Sequence, residues 1–179
     1  EKFSDLEYCY IRFPPDLSYT DFLVKMSKAA GMINTRYVYW ACDDDFINFE
    51  CIDDGLNFLD ANVRHVMFTG QVINFEIPHS ARVKKHIGEI SIGDNIYSMP
   101  YSIEQDSAVT RLAACYNLKP FEALHRTSVF KECLSRALEF KIEHHYELSA
   151  LFRYIICLEG KAHVSEKLMV LRQHDTPES

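Results

Sequence analysis

Three consecutive aspartates, Asp43-Asp44-Asp45, are the residues of this sequence best suited to chemistry. Adjacent carboxylates repel one another, and a low-dielectric neighbourhood strengthens the repulsion. A divalent cation relieves it. Hard cations such as Mg2+ and Mn2+ take oxygen ligands and share them with substrate phosphates. In an extended segment alternate side chains share a face, so Asp43 and Asp45 form a natural metal-holding pair and Asp44 points the other way. The bland account of such a run is an acidic surface turn. The preceding residues weigh against it: Tyr-Val-Tyr-Trp-Ala-Cys over 37–42 is almost wholly apolar. Such a run suits a strand buried on both faces. The aspartates then fall at its C-terminal end, where open α/β sheets bind their ligands.

Other candidates are weaker on pattern alone. Glu143 and Glu147 lie one helical turn apart, beside His144 and His145. A carboxylate at a helix N-terminus is favoured by the dipole and can serve as a general base, although an ordinary acidic first turn has the same pattern. Arg126 follows Ala123-Leu124-His125 and suits either a diphosphate or a structural ion pair. Arg172 and His174 lie past the last predicted strand, where a histidine could complete a metal site or belong to a loose tail. No Gly-rich phosphate loop and no G-x-S-x-G elbow is present.

The chain has 179 residues, 47% of them hydrophobic, and a formal net charge of −7. That is enough for one domain over 1–179 with a substantial core. The negative charge argues against nucleic acid as main partner, since phosphate binding needs a basic face. Lys84-Lys85-His86, the one compact basic cluster, suits a solvated loop. Six cysteines without a C-x-x-C pair suit buried free thiols in a reducing compartment. No signal peptide or apolar run of membrane-spanning length is visible.

The elements that must position these residues alternate. The pattern predicts a strand over 8–13, stopped by Pro14-Pro15, and a helix to about Ala30 capped by Ser18 with Asp21. It predicts a helix over 49–61 with Ile52, Leu56 and Leu59 as its stripe. Strands over 66–68 and 72–77 follow, separated by a turn at Gly70. Residues 78–99 suit a loop or flap. A helix over 103–116 would be capped by Ser102 with Gln105, and a short strand would cover 121–125. Thr127 would cap the next helix, a last helix would span 144–158 and stop at Gly160, and a final strand would cover 164–171. Together these predict an α/β fold, a mixed sheet flanked by helices.

Thr35-Arg36-Tyr37-Val38-Tyr39-Trp40-Ala41-Cys42-Asp43-Asp44-Asp45-Phe46 resembles the T-x-Y-V … D-D-D-F core of bacterial glycosyltransferases with the GT-A fold, in a branch related to the inverting family 2. Phe58-Leu59-Asp60-Ala61-Asn62, Met67-Phe68-Thr69-Gly70, Asp106-Ser107-Ala108 with Arg111-Leu112, and Ala123 to Thr127 resemble later motifs of the same branch. So do Tyr146-Glu147-Leu148, Glu159-Gly160-Lys161 and Val170-Leu171-Arg172, and the likeness runs from about Leu23 onward. The resemblance implies transfer of a sugar from a nucleotide-diphosphate donor, a UDP-sugar favoured, to a hydroxyl of a glycan or lipid-linked acceptor. The setting implied is bacterial surface-glycan synthesis in the cytoplasm or at the inner membrane face. It implies Mn2+ or Mg2+ on Asp43 and Asp45, donor contacts from Asp44, His125 and Arg126, and Glu147 as the base of an inverting displacement. Glu143, Arg172 and His174 are its secondary candidates. Members of the branch begin with further nucleotide-binding strands, so this chain is expected to be a shortened or N-terminally truncated version. The alternatives are a non-catalytic GT-A-like glycan- or protein-binding module, and a nucleotidyl- or phosphotransferase that uses the same aspartates.

Overall fold

A computed structural model describes residues 8–43, 45–76, 91–97 and 101–174. The order of elements is α1 (Tyr19–Gly31), β1 (Tyr37–Tyr39), β2 (Phe46–Ile47), α2 (Phe49–Ala61), β3 (His65–Glu76), β4 (Ser91–Tyr97), α3 (Ala108–Ala114), a 3-10 turn (Cys115–Asn117), β5 (Leu124–Arg126), α4 (Thr127–Glu139), α5 (His145–Glu159) and β6 (Lys161–His174). The strands form one mixed sheet in the order β1-β5-β3-β6-β2, with β4 also paired to β3. The central pair, β3 and β6, is parallel and the other pairings are antiparallel. The fold is therefore α/β, as the alternating pattern predicts.

Helices cover both faces of the sheet. On one, Leu23 and Ala30 of α1, Phe130, Cys133, Leu134 and Ala137 of α4, and Leu148, Phe152 and Ile156 of α5 close a core over Met67 and Ala162. On the other, α2 packs Cys51 and Leu59 against Phe68, Val72, Leu124, Met169 and Val170. The caps account for the helix starts. Ser18 accepts the N–H of Asp21 for α1, as predicted, and Asn48 accepts that of Glu50 for α2. All six cysteines are free thiols, four of them buried.

Several predicted elements differ in the structure. Residues 8–16 carry no regular structure, and Tyr8 and Tyr10 are exposed. The apolar run over 37–42 is not a strand buried on both faces. Only Tyr37–Tyr39 pairs, at the sheet edge against β5, and its residues are half-buried. Its remaining bulk is spent elsewhere: the Trp40 ring stacks among Phe22, Phe121 and Phe130. The α2 face that meets the sheet is Cys51, Gly55 and Leu59, rotated from the Ile52-Leu56-Leu59 stripe. Gly55 permits this, because a Cβ there would stand 2.6 Å from the Phe68 ring.

Gly70 does not make a turn either. It lies within β3, where a Cβ would stand 2.5 Å from the Lys167 carbonyl oxygen and 2.8 Å from the Met169 Cβ. A glycine here serves close approach of β6, not chain reversal. Residues 91–97 of the predicted flap form β4, and the rest of 78–99, with Lys84-Lys85-His86, lies outside the described residues. The helix predicted from Ile103 starts at Ala108, since Ile103 exchanges backbone bonds with Ala162 and Ser102 Oγ accepts the Val164 N–H. Arg126, not Thr127, occupies the N-cap of α4, and no side chain caps it. The helix α5 stops at Gly160 as predicted, while β6 runs on both sides of the expected 164–171. Among the described residues no helix is long and apolar enough to cross a membrane.

Candidate functional site

β1 and β2 lie at opposite ends of the strand order, so the acidic connection between them crosses the sheet. Asp43 sits exposed in a turn of this connection, Asp44 lies outside the described residues, and Asp45 is half-buried just before β2. Asp45 lines a cleft of about 540 Å3 on the α5 side, together with Cys42, Glu122 and Arg172. The other walls are Trp40, Phe121, the 116–120 segment and the His145, Tyr146, Ser149 and Arg153 face of α5. The size is within the range of small-molecule pockets.

Charges of both signs meet here. Glu122 forms an ion pair with Arg172. The Tyr39 hydroxyl is held above its usual range, first by burial and then by the negative charges of Glu122 and Asp45. Both carboxylates line the cleft. The His145 ring lies 4.7 Å from Phe121, and partial burial lowers its pKa. Glu122 opposes that shift and Arg172 adds to it.

The other predicted residues are spread more widely. His125 is 1% exposed, inside the core, and its Nε2 donates to the Pro120 carbonyl at 2.6 Å. Arg126 donates to the carbonyls of Leu59 and His65, each at 2.7 Å, and so caps the end of α2. The structure thus uses both side chains in packing, outside the cleft lining. Glu147 is exposed on the first turn of α5 and accepts the Glu143 N–H at 3.1 Å. Its charge is felt by Tyr19 of α1. Neither Glu147 nor Glu143 is among the cleft-lining residues. His174 ends β6, and its side chain is outside the described set.

Lys119, Glu122, His145, Tyr146 and Arg153 were not singled out from the sequence as site residues. Tyr146, Ser149 and Arg153 are three and four residues apart, and that helical spacing was the available signal.

Among the described residues no three His, Cys, Asp or Glu side chains make a metal-binding group, with Asp44 outside that set. Asp45 and Glu122 put carboxylate oxygens in the cleft lining, the donor type a hard divalent cation takes.

Burial of His125 has a measurable consequence. Its pKa is lowered from 6.5 to about 4, by burial against the opposing bond to Pro120. Protonation would place a proton on Nδ1, which is buried without a hydrogen-bond partner. A depressed histidine pKa contributes stability that is full above about pH 6.5 and lost as pH falls toward 4. Unfolding in urea is expected to show about 2 kcal/mol less stability from this group at pH 5 than at pH 8. His125→Gln is expected to flatten that part of the profile, and an unchanged slope would refute the assignment.

No protein-family model matches this chain, and no curated protein matches its sequence.

Proposed function

We propose that this domain is the catalytic part of a metal-dependent glycosyltransferase that takes a nucleotide-diphosphate sugar, a UDP-sugar by preference. The observation that carries the proposal is the placement of Asp45, from the acidic triplet, in a cleft that also holds Arg172 and Lys119. Carboxylates for a cation beside cations for phosphate are the combination a metal-diphosphate needs. Trp40 and Phe121 supply an apolar wall.

Asp43 and Asp45 would hold Mn2+ or Mg2+, which would supply positive charge against a leaving diphosphate. Arg172, fixed by its pair with Glu122, orients the phosphates. Glu147 is the acceptor base by resemblance. To act on a hydroxyl in the cleft it must release the Glu143 N–H and turn toward Tyr146. That displacement favours a second reading, a glycan- or protein-binding module without transfer activity. The bacterial, cytoplasmic setting and the glycan or lipid-linked acceptor belong to the same proposal.

Calorimetric titration with UDP tests it. Binding is expected in Mn2+ and is expected to vanish in EDTA. Equal affinity in both, or no binding of any nucleoside diphosphate, would overturn the proposal. Hydrolysis or transfer from a donor panel then separates the enzyme from the binding module.

A further inference from the structure

We infer that the part of the cleft lined by Tyr116, Tyr146 and Arg153 is an acceptor subsite for an anionic sugar, read by Arg153. The word acceptor rests on the glycosyltransferase reading; the affinity for an acidic saccharide does not.

Tyr116 and Tyr146 are 82% and 87% exposed, and both line the cleft. Exposed aromatics in a cleft lining offer a ligand apolar surface to cover. An aromatic face suits the C–H face of a sugar ring, with the phenol left for its hydroxyls. Ser149 and Asn117, also in the lining, add hydroxyl and amide groups.

Arg153 lies two helical turns beyond Tyr146 on α5. Its Nη1 donates to the Tyr116 carbonyl at 2.6 Å and its Nε to the Ser149 carbonyl at 3.3 Å. Both acceptors are neutral, and among the described residues no carboxylate forms an ion pair with it. A guanidinium has five N–H donors in a rigid fork that matches a carboxylate or phosphate. The bond to Tyr116 holds this fork in place before any ligand arrives, which limits the ordering cost of binding. On a chain of net charge −7, a cation left uncompensated in a cleft is the local feature an anionic ligand requires.

Arg172 is paired with Glu122. Arg153 is tied instead to the 3-10 turn. An uncharged sugar would leave its guanidinium unmatched.

The test uses the full chain and two probe pairs: a uronic-acid disaccharide with its methyl ester, and a hexose 6-phosphate with the free hexose. UDP with Mn2+ is titrated on the same preparations. Wild type is expected to bind the charged member of at least one pair about 10-fold or more tightly than the neutral one. The responding pair identifies the anion. Arg153→Gln is expected to abolish that preference, Arg153→Lys to restore part of it, and Tyr146→Ala to weaken both members equally. All three are expected to change UDP–Mn2+ affinity less than they change binding of the charged sugar. Equal binding within both pairs overturns the inference. So does an Arg153→Gln loss that is as large for UDP–Mn2+, since Arg153 would then serve the donor. Discrimination between charged and neutral sugars without any UDP–Mn2+ binding supports the subsite and defeats the glycosyltransferase reading.

Discussion

Arg111→Ala is expected to lower the unfolding free energy by about 3–5 kcal/mol. Arg111 is 7% exposed, yet its guanidinium donates to backbone carbonyls. It donates to Cys157 at 2.7 Å and Leu158 at 3.2 Å, and to Gln105 and Asp106 at 3.0 and 2.7 Å. Cys157 and Leu158 end α5, where the last carbonyls have no intrahelical partner. A cation at that end also answers the helix dipole. Alanine would leave four carbonyls without this donor set and a cavity where α3 meets α5. A domain of this size has about 5–15 kcal/mol in total, so the loss is a large share of it. Urea unfolding with circular dichroism measures the change. Arg111→Lys keeps the charge but not the fork, and is expected to fall between. A loss under about 1 kcal/mol would show that water replaces the guanidinium at these carbonyls.

The helices were legible because their signals are local. Ser18 and Asp21 mark the start of α1, and Gly160 marks the end of α5, within a turn of the residues concerned. Strands depend on distant partners, and there the pattern found most of the segments but missed their bounds and neighbours. Gly70 carries every local mark of a turn, but its reason is the backbone of β6, about a hundred residues away. Tyr37 to Cys42 carries enough apolar bulk for a central strand, yet only its first half pairs and Trp40 serves an aromatic cluster under α1 and α4. The site divides the same way. Three adjacent aspartates announce themselves in the sequence. Arg126 resembles a ligand-binding cation because its sequence neighbourhood is apolar. The carbonyls it caps, at Leu59 and His65, are contributed from far earlier in the chain. Arg153 was hidden for the converse reason: its role depends on Tyr116, which only the fold brings to it.

Asp45→Asn is expected to reduce UDP affinity in Mn2+ by about 100-fold or more, near 2.7 kcal/mol. The substitution keeps the shape and removes the charge that a hard cation needs. Asp43→Asn is expected to cost less, because Asp43 is exposed in its turn while Asp45 is half-buried in the cleft lining. A readout independent of any ligand accompanies the test. The Tyr39 hydroxyl is raised by burial, then by Glu122, then by Asp45. Asp45→Asn is therefore expected to lower the Tyr39 pKa, seen as earlier phenolate absorbance in an alkaline titration against Tyr39→Phe as the blank. The fold is expected to hold, since asparagine keeps the shape of the side chain. The two results separate geometry from function. A lowered Tyr39 pKa with undiminished UDP–Mn2+ binding would confirm where Asp45 points and move the cation elsewhere. Loss of binding together with the lowered Tyr39 pKa would tie the diphosphate to this cleft.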